Sequence, residues 1–107
     1  MRVAIIGAGA AGLMCAATLL EKMPGAEIFV IERNDGLGKK VIISGGGRCN
    51  VTTGIHDVKT LLTKYPRGAE FLRTAMTAFP PKAVYDWFQA HGVPLKMQAD
   101  LRAFPAS

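Results

Sequence analysis

The apolar residues in the first third of the chain predict two short strands with a helix between them. Residues 3–6 and 28–31 are aliphatic and aromatic runs bounded by glycine or by charged residues, which is typical of strands. Residues 10–22 are rich in alanine and leucine, which favour a helix, and Pro24 with Gly25 indicates a turn before the second run. The pattern predicts a βαβ unit whose two strands are parallel.

After residue 50 the apolar positions are spaced as in helices. A first stretch, residues 58–65, ends at Pro66 and has Asp57 in position to cap it; two further stretches, 71–79 and 84–91, end at Pro80 and Gly92. We expect the aromatic and methionine side chains of these stretches to lie in a core. Two short extended runs, 93–97 and 102–104, predict a hairpin around Ala99 and Asp100. By contrast, residues 33–50 are predicted to form one long loop, and a loop of this length in a compact domain usually has a function.

Three glycines join the first strand to the first helix with the spacing Gly-x-Gly-x-x-Gly. Gly7 suits a tight turn, Gly9 lets a pyrophosphate approach the backbone, and Gly12 allows the helix to lie close to the strand. The N–H groups at the start of the helix favour a diphosphate. Glu32 ends the second strand, near the position where an acidic residue accepts hydrogen bonds from a ribose. The pattern predicts a dinucleotide site; the alternative is a glycine-rich turn of another βα unit.

Composition and charge narrow the class of partner. The 107 residues are half apolar and one-fifth charged, as in a soluble globular protein with one domain. The net charge is +5, and residues 33–48 hold four basic side chains against Asp35 alone: Arg33, Lys39, Lys40 and Arg48. Basic residues beside a glycine-rich turn fit a phosphate-bearing cofactor. Aromatic residues are few and are not interleaved with the basic ones, so no nucleic-acid partner is predicted.

The uncharged run at the N-terminus raises the question of a membrane segment. Residues 3–20 carry no charge, but Gly7, Gly9 and Gly12 interrupt any spanning helix. We therefore expect no membrane association and a cytoplasmic protein, with an export signal as the alternative. Cys15 and Cys49 are too far apart for a C-x-x-C pair, and Cys15 among alanines is expected to be a small buried residue. No metal-ligand spacing is present in the sequence.

A second motif, Ser-Gly-Gly-Gly-Arg-Cys-Asn at residues 44–50, follows the dinucleotide turn. With both motifs, the chain resembles the N-terminal part of the BaiN-like flavoproteins over its whole length. These are FAD-dependent oxidoreductases, some of them aminoacetone oxidase-like. The Glu-Arg pair at residues 32–33, Gly38 followed by two lysines, and the Arg-x-Phe-Pro-x-Ser run at 102–107 also match. Two positions depart from the family: Thr53, where it usually has Asn, and Leu101, where it usually has Gly.

The resemblance implies an α/β fold, a Rossmann-like FAD-binding domain of the glutathione-reductase type. In this sequence the domain is incomplete: an N-terminal βαβ unit is followed by helices and a short hairpin. Residues 1–107 then correspond to the N-terminal part of that domain, and the substrate domain and the C-terminal return are absent. The implied cofactor is FAD, with NAD(P)H as a possible co-substrate and a small molecule as substrate. No oligomeric state and no catalytic residue are predicted.

The cofactor-binding residues implied in this way form two groups. The first group follows the two strands: Gly7, Gly9, Ala10, Ala11, Gly12, Glu32, Arg33, Lys39 and Lys40. The second group is the later motif: Ser44, Gly45, Gly46, Gly47, Arg48, Cys49 and Asn50. Glu32 would repel a 2′-phosphate, and Arg33 would lie beside the adenine or simply in solvent. Ser44 would cap a short helix over residues 45–47 whose N–H groups face the cofactor.

The later residues of the motif leave alternatives open. Arg48 would clamp a phosphate or a substrate carboxylate, or form a structural ion pair. Asn50 would be a polar ligand or a turn former. Cys49 has no neighbouring cysteine or assigned base, so thiol catalysis is not favoured.

The sequence predicts the FAD-binding portion of an oxidoreductase that moves hydride between a nicotinamide nucleotide and a small organic substrate. The first alternative is a non-catalytic nucleotide-binding fragment. The second is a stand-alone NAD-dependent reductase, which the absence of a Tyr-x-x-x-Lys spacing at Tyr65 and Tyr85 disfavours.

Overall fold

The computed structural model describes residues 1–106 and divides the chain into two compact units, Met1–Gly47 and Arg48–Ser107. The assignment of both units to one domain stays a prediction. Each unit is described by itself below.

The first unit is a βαβ unit followed by a short helix. Strand β1 (Arg2–Ile6) leads into helix α1 (Ala10–Lys22), then strand β2 (Glu27–Ile31) and helix α2 (Lys39–Gly47). The strands pair in parallel, with Ile6 opposite Ile31, and the Gly7 N–H donates to the Ile31 carbonyl at 2.7 Å. The predicted strands, helix and parallel pairing are confirmed, and they bring the carboxyl ends of both strands to the glycine turn.

Two predictions for this unit are wrong. Cys15 is exposed, because α1 rests on only two strands within the described residues and none of its side chains is buried. The expected loop over 33–50 contains α2. That helix begins after Gly38, whose carbonyl accepts a hydrogen bond from the Ile42 N–H at 2.9 Å. The φ of Gly38 is +60°, a left-handed conformation that favours glycine. Three β-branched residues in the first turns of α2 lower its helix propensity and hide it from a sequence argument.

The second unit contains three helices and a small antiparallel sheet. In chain order it contains β3 (Thr52–Thr53), α3 (Val58–Leu62), α4 (Ala69–Ala78), α5 (Pro81–Ala90), β4 (Leu95–Met97) and β5 (Arg102–Pro105). Helix α5 packs against the sheet, and α3 packs against α4. The sheet order is β3-β5-β4, and β4 pairs with β5 as the predicted hairpin. The Asp57 carboxylate accepts from the Thr60 N–H at 2.7 Å, so the predicted cap of α3 is confirmed. The core of the second unit includes the buried side chains of Leu61, Leu62, Leu95, Ala103 and Phe104.

The predicted aromatic core is only partly correct. Trp87 and Phe88 are half-buried, and their rings meet edge to face at 5.1 Å. Phe71, however, is 88% exposed, and Phe79 is 39% exposed. Helical spacing puts Phe71 on an apolar stripe of α4, but nothing in the described chain covers that position.

Candidate functional site

The three glycines of the turn in the first unit, Gly7, Gly9 and Gly12, meet different physical requirements. A Cβ on Gly12 would lie 1.9 Å from the Gly7 carbonyl oxygen, so only glycine lets α1 approach β1 this closely. Gly7 has a φ of +95°, in the left-handed region that favours glycine. Both residues are therefore required by the fold itself.

Gly9 is different, because the protein itself does not require it. Its φ of −81° suits any residue, and a Cβ there would meet no atom within 4 Å. The space over Gly9 is open, which is what the close approach of a pyrophosphate to the backbone needs. The residues present therefore fit a dinucleotide at this turn.

The start of α1 offers hydrogen-bond donors to this space. Gly9 is the N-cap residue, no side chain caps the helix, and no acidic residue lies in its first turn. Ala10 and Ala11, the first helical residues, are exposed and present only methyl groups. The N–H groups of a first helical turn have no acceptor within their own helix, so an external anion can accept from them.

Glu32 is held against the same turn. One carboxylate oxygen accepts from the Ala8 N–H at 2.9 Å, and the other accepts from the Asn34 N–H (2.9 Å) and the Asn34 amide (3.1 Å). These bonds lower the pKa of Glu32 below its ordinary value, the Asn34 N–H being the largest cause and the Ala8 N–H the next. The carboxylate is therefore ionised at neutral pH. The oxygen that Ala8 contacts keeps acceptor capacity for a ribose hydroxyl.

The basic residues that follow β2 are placed unequally. The Gly38 N–H donates to the Ala8 carbonyl at 2.8 Å, which brings the start of α2 beside the glycine turn. Lys39 forms an ion pair with Asp35 one helical turn earlier. Lys40 and Arg33 are exposed, and neither takes part in an ion pair within residues 1–106. Their contact with a cofactor stays a prediction.

The later motif does not form the helix start expected at Ser44. The Ser44 hydroxyl donates backwards to the Val41 carbonyl at 2.9 Å, and its ψ of 151° leaves the helix. Gly45, Gly46 and Gly47 have φ values of +59°, +69° and +84°, so they are left-handed and cannot be a capped right-handed turn. A Cβ on Gly46 or Gly47 would meet nothing within 4 Å, so the backbone conformation, not packing, selects glycine there.

In the second unit the motif residues contact the hairpin. The Arg48 guanidinium lies over the Phe104 ring, 4.2 Å from its centroid. The Asn50 amide, oriented to satisfy its neighbours, donates to the Ala103 and Thr52 carbonyls at 3.2 and 3.1 Å. These bonds link Asn50 to β5 and to the start of β3, and its role toward a cofactor stays a prediction. Cys49 is a free, half-buried thiol whose φ of +59° is unusual for a residue with a side chain.

The two positions that depart from the family pattern have different local structures. Leu101 has a φ of +63°, a conformation that favours the glycine usual at this position. The Thr53 hydroxyl accepts from the Ile55 N–H at 3.3 Å and so shapes the end of β3. The sequence pointed to both positions only through the resemblance.

The parallel strand pair, the glycine turn and the carboxylate beside it define a dinucleotide-binding unit of the Rossmann class. The chain belongs to the HI0933-like protein Rossmann domain family, whose model matches residues 1–107. This is the BaiN and aminoacetone oxidase-like FAD-dependent family, so the resemblance and the Rossmann-like fold are confirmed. None of the helices within residues 1–106 is both long and apolar enough to cross a membrane.

The curated proteins to which the chain is similar include a bile acid reductase and two ribosomal RNA dihydrouridine synthases. The 3-dehydro-bile acid delta(4,6)-reductase of Clostridium scindens is 30% identical over 86% of this chain and 22% of its own length. The ribosomal RNA dihydrouridine synthase of Escherichia coli is 35% identical over 83% of this chain and 21% of its own length. That of Haemophilus influenzae is 40% identical over 57% and 18%. The chain thus spans about a fifth of the length of the relatives it matches.

Proposed function

We propose that the chain is the FAD-binding portion of a cytoplasmic oxidoreductase that moves a hydride between a nicotinamide nucleotide and an unsaturated organic substrate. The observation that carries the proposal is the open space over Gly9 at an uncapped helix start, with the Glu32 carboxylate tied to the same turn. Membership of a flavin-dependent family supports FAD as the dinucleotide.

The residues of the first unit bind and orient the cofactor. The N–H groups at the start of α1 donate to the diphosphate, and the bare backbone at Gly9 lets it approach. Glu32 accepts from a ribose hydroxyl of the adenosine and repels a phosphate at that position, which selects FAD over a phosphorylated nucleotide. When bound, the flavin supplies the hydride chemistry, so the protein's part is positioning and electrostatics.

The names of the relatives narrow the substrate of the proposed reaction. A delta(4,6)-reductase of a 3-dehydro-bile acid and a dihydrouridine synthase both describe hydrogen added to a carbon–carbon double bond of a ring. In a 3-oxo steroid with such double bonds, and in uracil, that bond is conjugated to a carbonyl. We therefore propose a ring with a double bond conjugated to a carbonyl as the substrate class of the whole protein.

The competing proposal is a chain that binds the nucleotide and catalyses nothing by itself. It is favoured by one observation: the chain spans about a fifth of the length of its relatives. We propose that both statements hold, with the activity belonging to the whole protein.

A competition titration tests the proposed site. We expect FAD to bind the purified chain saturably, ADP to displace it, and FMN, which lacks the adenosine monophosphate part of FAD, to bind far more weakly. FMN binding as tightly as FAD, or FAD binding that ADP does not displace, would refute a site built on the glycine turn. Circular dichroism of the same sample shows that the chain is folded.

A further inference from the structure

The two oxygens of the Glu32 carboxylate have different neighbours. Oε1 accepts two hydrogen bonds, both from Asn34: one from its backbone N–H at 2.9 Å and one from its side-chain amide at 3.1 Å. Oε2 accepts a hydrogen bond from the Ala8 N–H at 2.9 Å. Within residues 1–106 no lysine or arginine forms an ion pair with Glu32, so its charge is stabilised by hydrogen-bond donors.

This unequal division limits what the carboxylate can accept from a ligand. An ionised carboxylate only accepts hydrogen bonds, and each of its oxygens has two lone pairs. Asn34 occupies both lone pairs of Oε1, whereas Ala8 occupies one of the two on Oε2. One acceptor position therefore remains, and it lies on the oxygen that is hydrogen-bonded to the glycine turn.

The ribose of an adenine nucleotide offers two donors, the 2′ and the 3′ hydroxyl. One hydroxyl can donate to the remaining position on Oε2. The other can donate to Oε1 only by displacing the Asn34 side-chain amide. That displacement exchanges one hydrogen bond for another, so the second hydroxyl gains little free energy from the carboxylate.

We propose that Asn34 restricts Glu32 to a single ribose hydroxyl, so that the site recognises one of the two hydroxyls of the adenosine and tolerates the loss of the other. Asn34 is a positioning residue in this arrangement, because it acts through the Glu32 carboxylate. It is not among the cofactor-binding residues that the sequence predicts. The restriction rests on the proposed function, since it takes the adenosine ribose as the group that Glu32 binds.

A purely structural role for Asn34 has different consequences. Its contacts with Glu32 join residues two apart in the chain, so they also stabilise the bend that follows β2. If that were their whole effect, replacing the Asn34 side chain would weaken the binding of every adenine nucleotide by the same factor. The ratio of the affinities for a nucleotide with both hydroxyls and for one that lacks a hydroxyl therefore separates the two roles.

Competition titrations of the wild-type chain with ADP, 2′-deoxy-ADP and 3′-deoxy-ADP test the restriction. We expect one deoxy analogue to bind roughly tenfold more weakly than ADP, through the loss of one hydrogen bond to a charged group, and the other to bind within about twofold of ADP. Several-fold losses with both analogues would overturn the proposal, because both hydroxyls would then be recognised. Losses with neither analogue would overturn it as well.

Glu32→Ala shows whether the carboxylate causes the difference between the analogues. In this variant the three nucleotides should bind within about twofold of one another, because the group that distinguishes the hydroxyls is absent. A difference that persists in Glu32→Ala would come from the conformation of the sugar or from another residue, and would overturn the proposal.

Asn34→Ala tests the residue itself, and its side chain is exposed, so its removal should leave the unit folded. The variant frees one lone pair of Oε1, so the deoxy analogue that the wild type tolerates should bind about fivefold more weakly than ADP. The matched control is Asp35→Ala, which removes an ion pair with Lys39 in the same loop but no contact with Glu32. The control should keep the wild-type ratios, and unchanged ratios in Asn34→Ala would overturn the proposal.

The same titrations distinguish a failure of this proposal from a failure of the proposed function. A chain that is folded by circular dichroism but does not bind ADP would refute the dinucleotide site and the restriction with it. ADP binding in which both hydroxyls are recognised would refute the restriction alone and leave the site on the glycine turn intact.

Discussion

A Cβ on Gly12 would lie 1.9 Å from the carbonyl oxygen of Gly7, so only glycine fits at this position of the βα turn. The contact is between backbone atoms, so no side chain can move aside to relieve it. Gly9, between these two residues, faces open space instead. The fingerprint thus divides into glycines needed for folding and one glycine left for the ligand.

Gly12→Ala should destabilise the first unit by about 3 kcal/mol, the upper end of the usual range for overpacking, because the overlap can be relieved only by moving α1 away from β1. Urea unfolding followed by circular dichroism measures the loss. The matched control is Gly25→Ala, whose Cβ would meet nothing within 4 Å and which should be nearly neutral. Equal stability of the two variants would show that α1 does not lie against the Gly7 carbonyl.

Glu32→Ala should weaken FAD binding by roughly 1 to 3 kcal/mol, the range for hydrogen bonds to a charged group. The matched control is Glu27→Ala, which removes a carboxylate that pairs with Arg2 at the other end of β2. Isothermal titration calorimetry measures both. An unchanged affinity in Glu32→Ala would place the ribose elsewhere.

The pH dependence of binding follows from the lowered pKa of Glu32. Because FAD binds the folded chain, its affinity follows the pKa of Glu32 in the folded state, which lies below the ordinary value of about 4.3, and the contribution of the carboxylate is lost only as the pH falls through that lowered pKa. FAD affinity should therefore be constant from about pH 7 to about pH 5 and fall only below that. A loss of affinity that begins near neutral pH and is absent in Glu32→Ala would contradict an ionised Glu32.

At position 101, a glycine variant should be more stable than an alanine variant, which is the reverse of their usual order. Its φ of +63° costs a residue with a Cβ about 1 kcal/mol or more, and Leu101→Ala keeps that cost while removing the side chain. Leu101→Gly should therefore be more stable than Leu101→Ala by about 1 kcal/mol in urea unfolding. At the exposed Ala99, which has no positive φ, Ala99→Gly should not be stabilising. An alanine variant more stable than the glycine one would contradict the left-handed turn.

Replacing Arg48 distinguishes a structural role of its side chain from a role in cofactor binding. Its guanidinium stacks on the nearly buried Phe104 ring, and such a contact contributes about 0.5 to 1 kcal/mol at an exposed position. Arg48→Ala should lower the stability of the chain by about that amount and leave the FAD affinity unchanged. A weakened FAD affinity with unchanged stability would support the phosphate clamp predicted from the sequence.

The parts of the fold that the sequence predicts are those set by neighbouring residues. The glycine spacing, the two strands, α1 and the hairpin each follow from a short stretch of chain, and all are present. Helix α2 was missed because its start depends on Gly38 bonding to Ala8, a contact 30 residues away in the chain. The exposure of Phe71 and Cys15 was missed because an apolar stripe does not tell which neighbours cover it.

In the candidate site, too, some features are set by neighbouring residues and others by contacts between residues that the sequence pattern does not reveal. The sequence places Glu32 at the end of a strand, but the bonds to Ala8 and Asn34 that fix its carboxylate appear only in three dimensions. The role predicted for Ser44 failed because three consecutive glycines allow the left-handed backbone that residues 45–47 adopt, which a pattern of residue types does not distinguish from a helix start.

The most direct test of the cofactor site is FAD titration of the wild-type chain and of Gly9→Val, with the fold of both followed by circular dichroism. The site predicts that Gly9→Val stays folded, since a Cβ at Gly9 would meet no protein atom within 4 Å, with only the small loss of stability expected of valine at an N-cap, and that it loses saturable FAD binding. A folded Gly9→Val variant that binds FAD as tightly as the wild type would contradict a diphosphate at this turn.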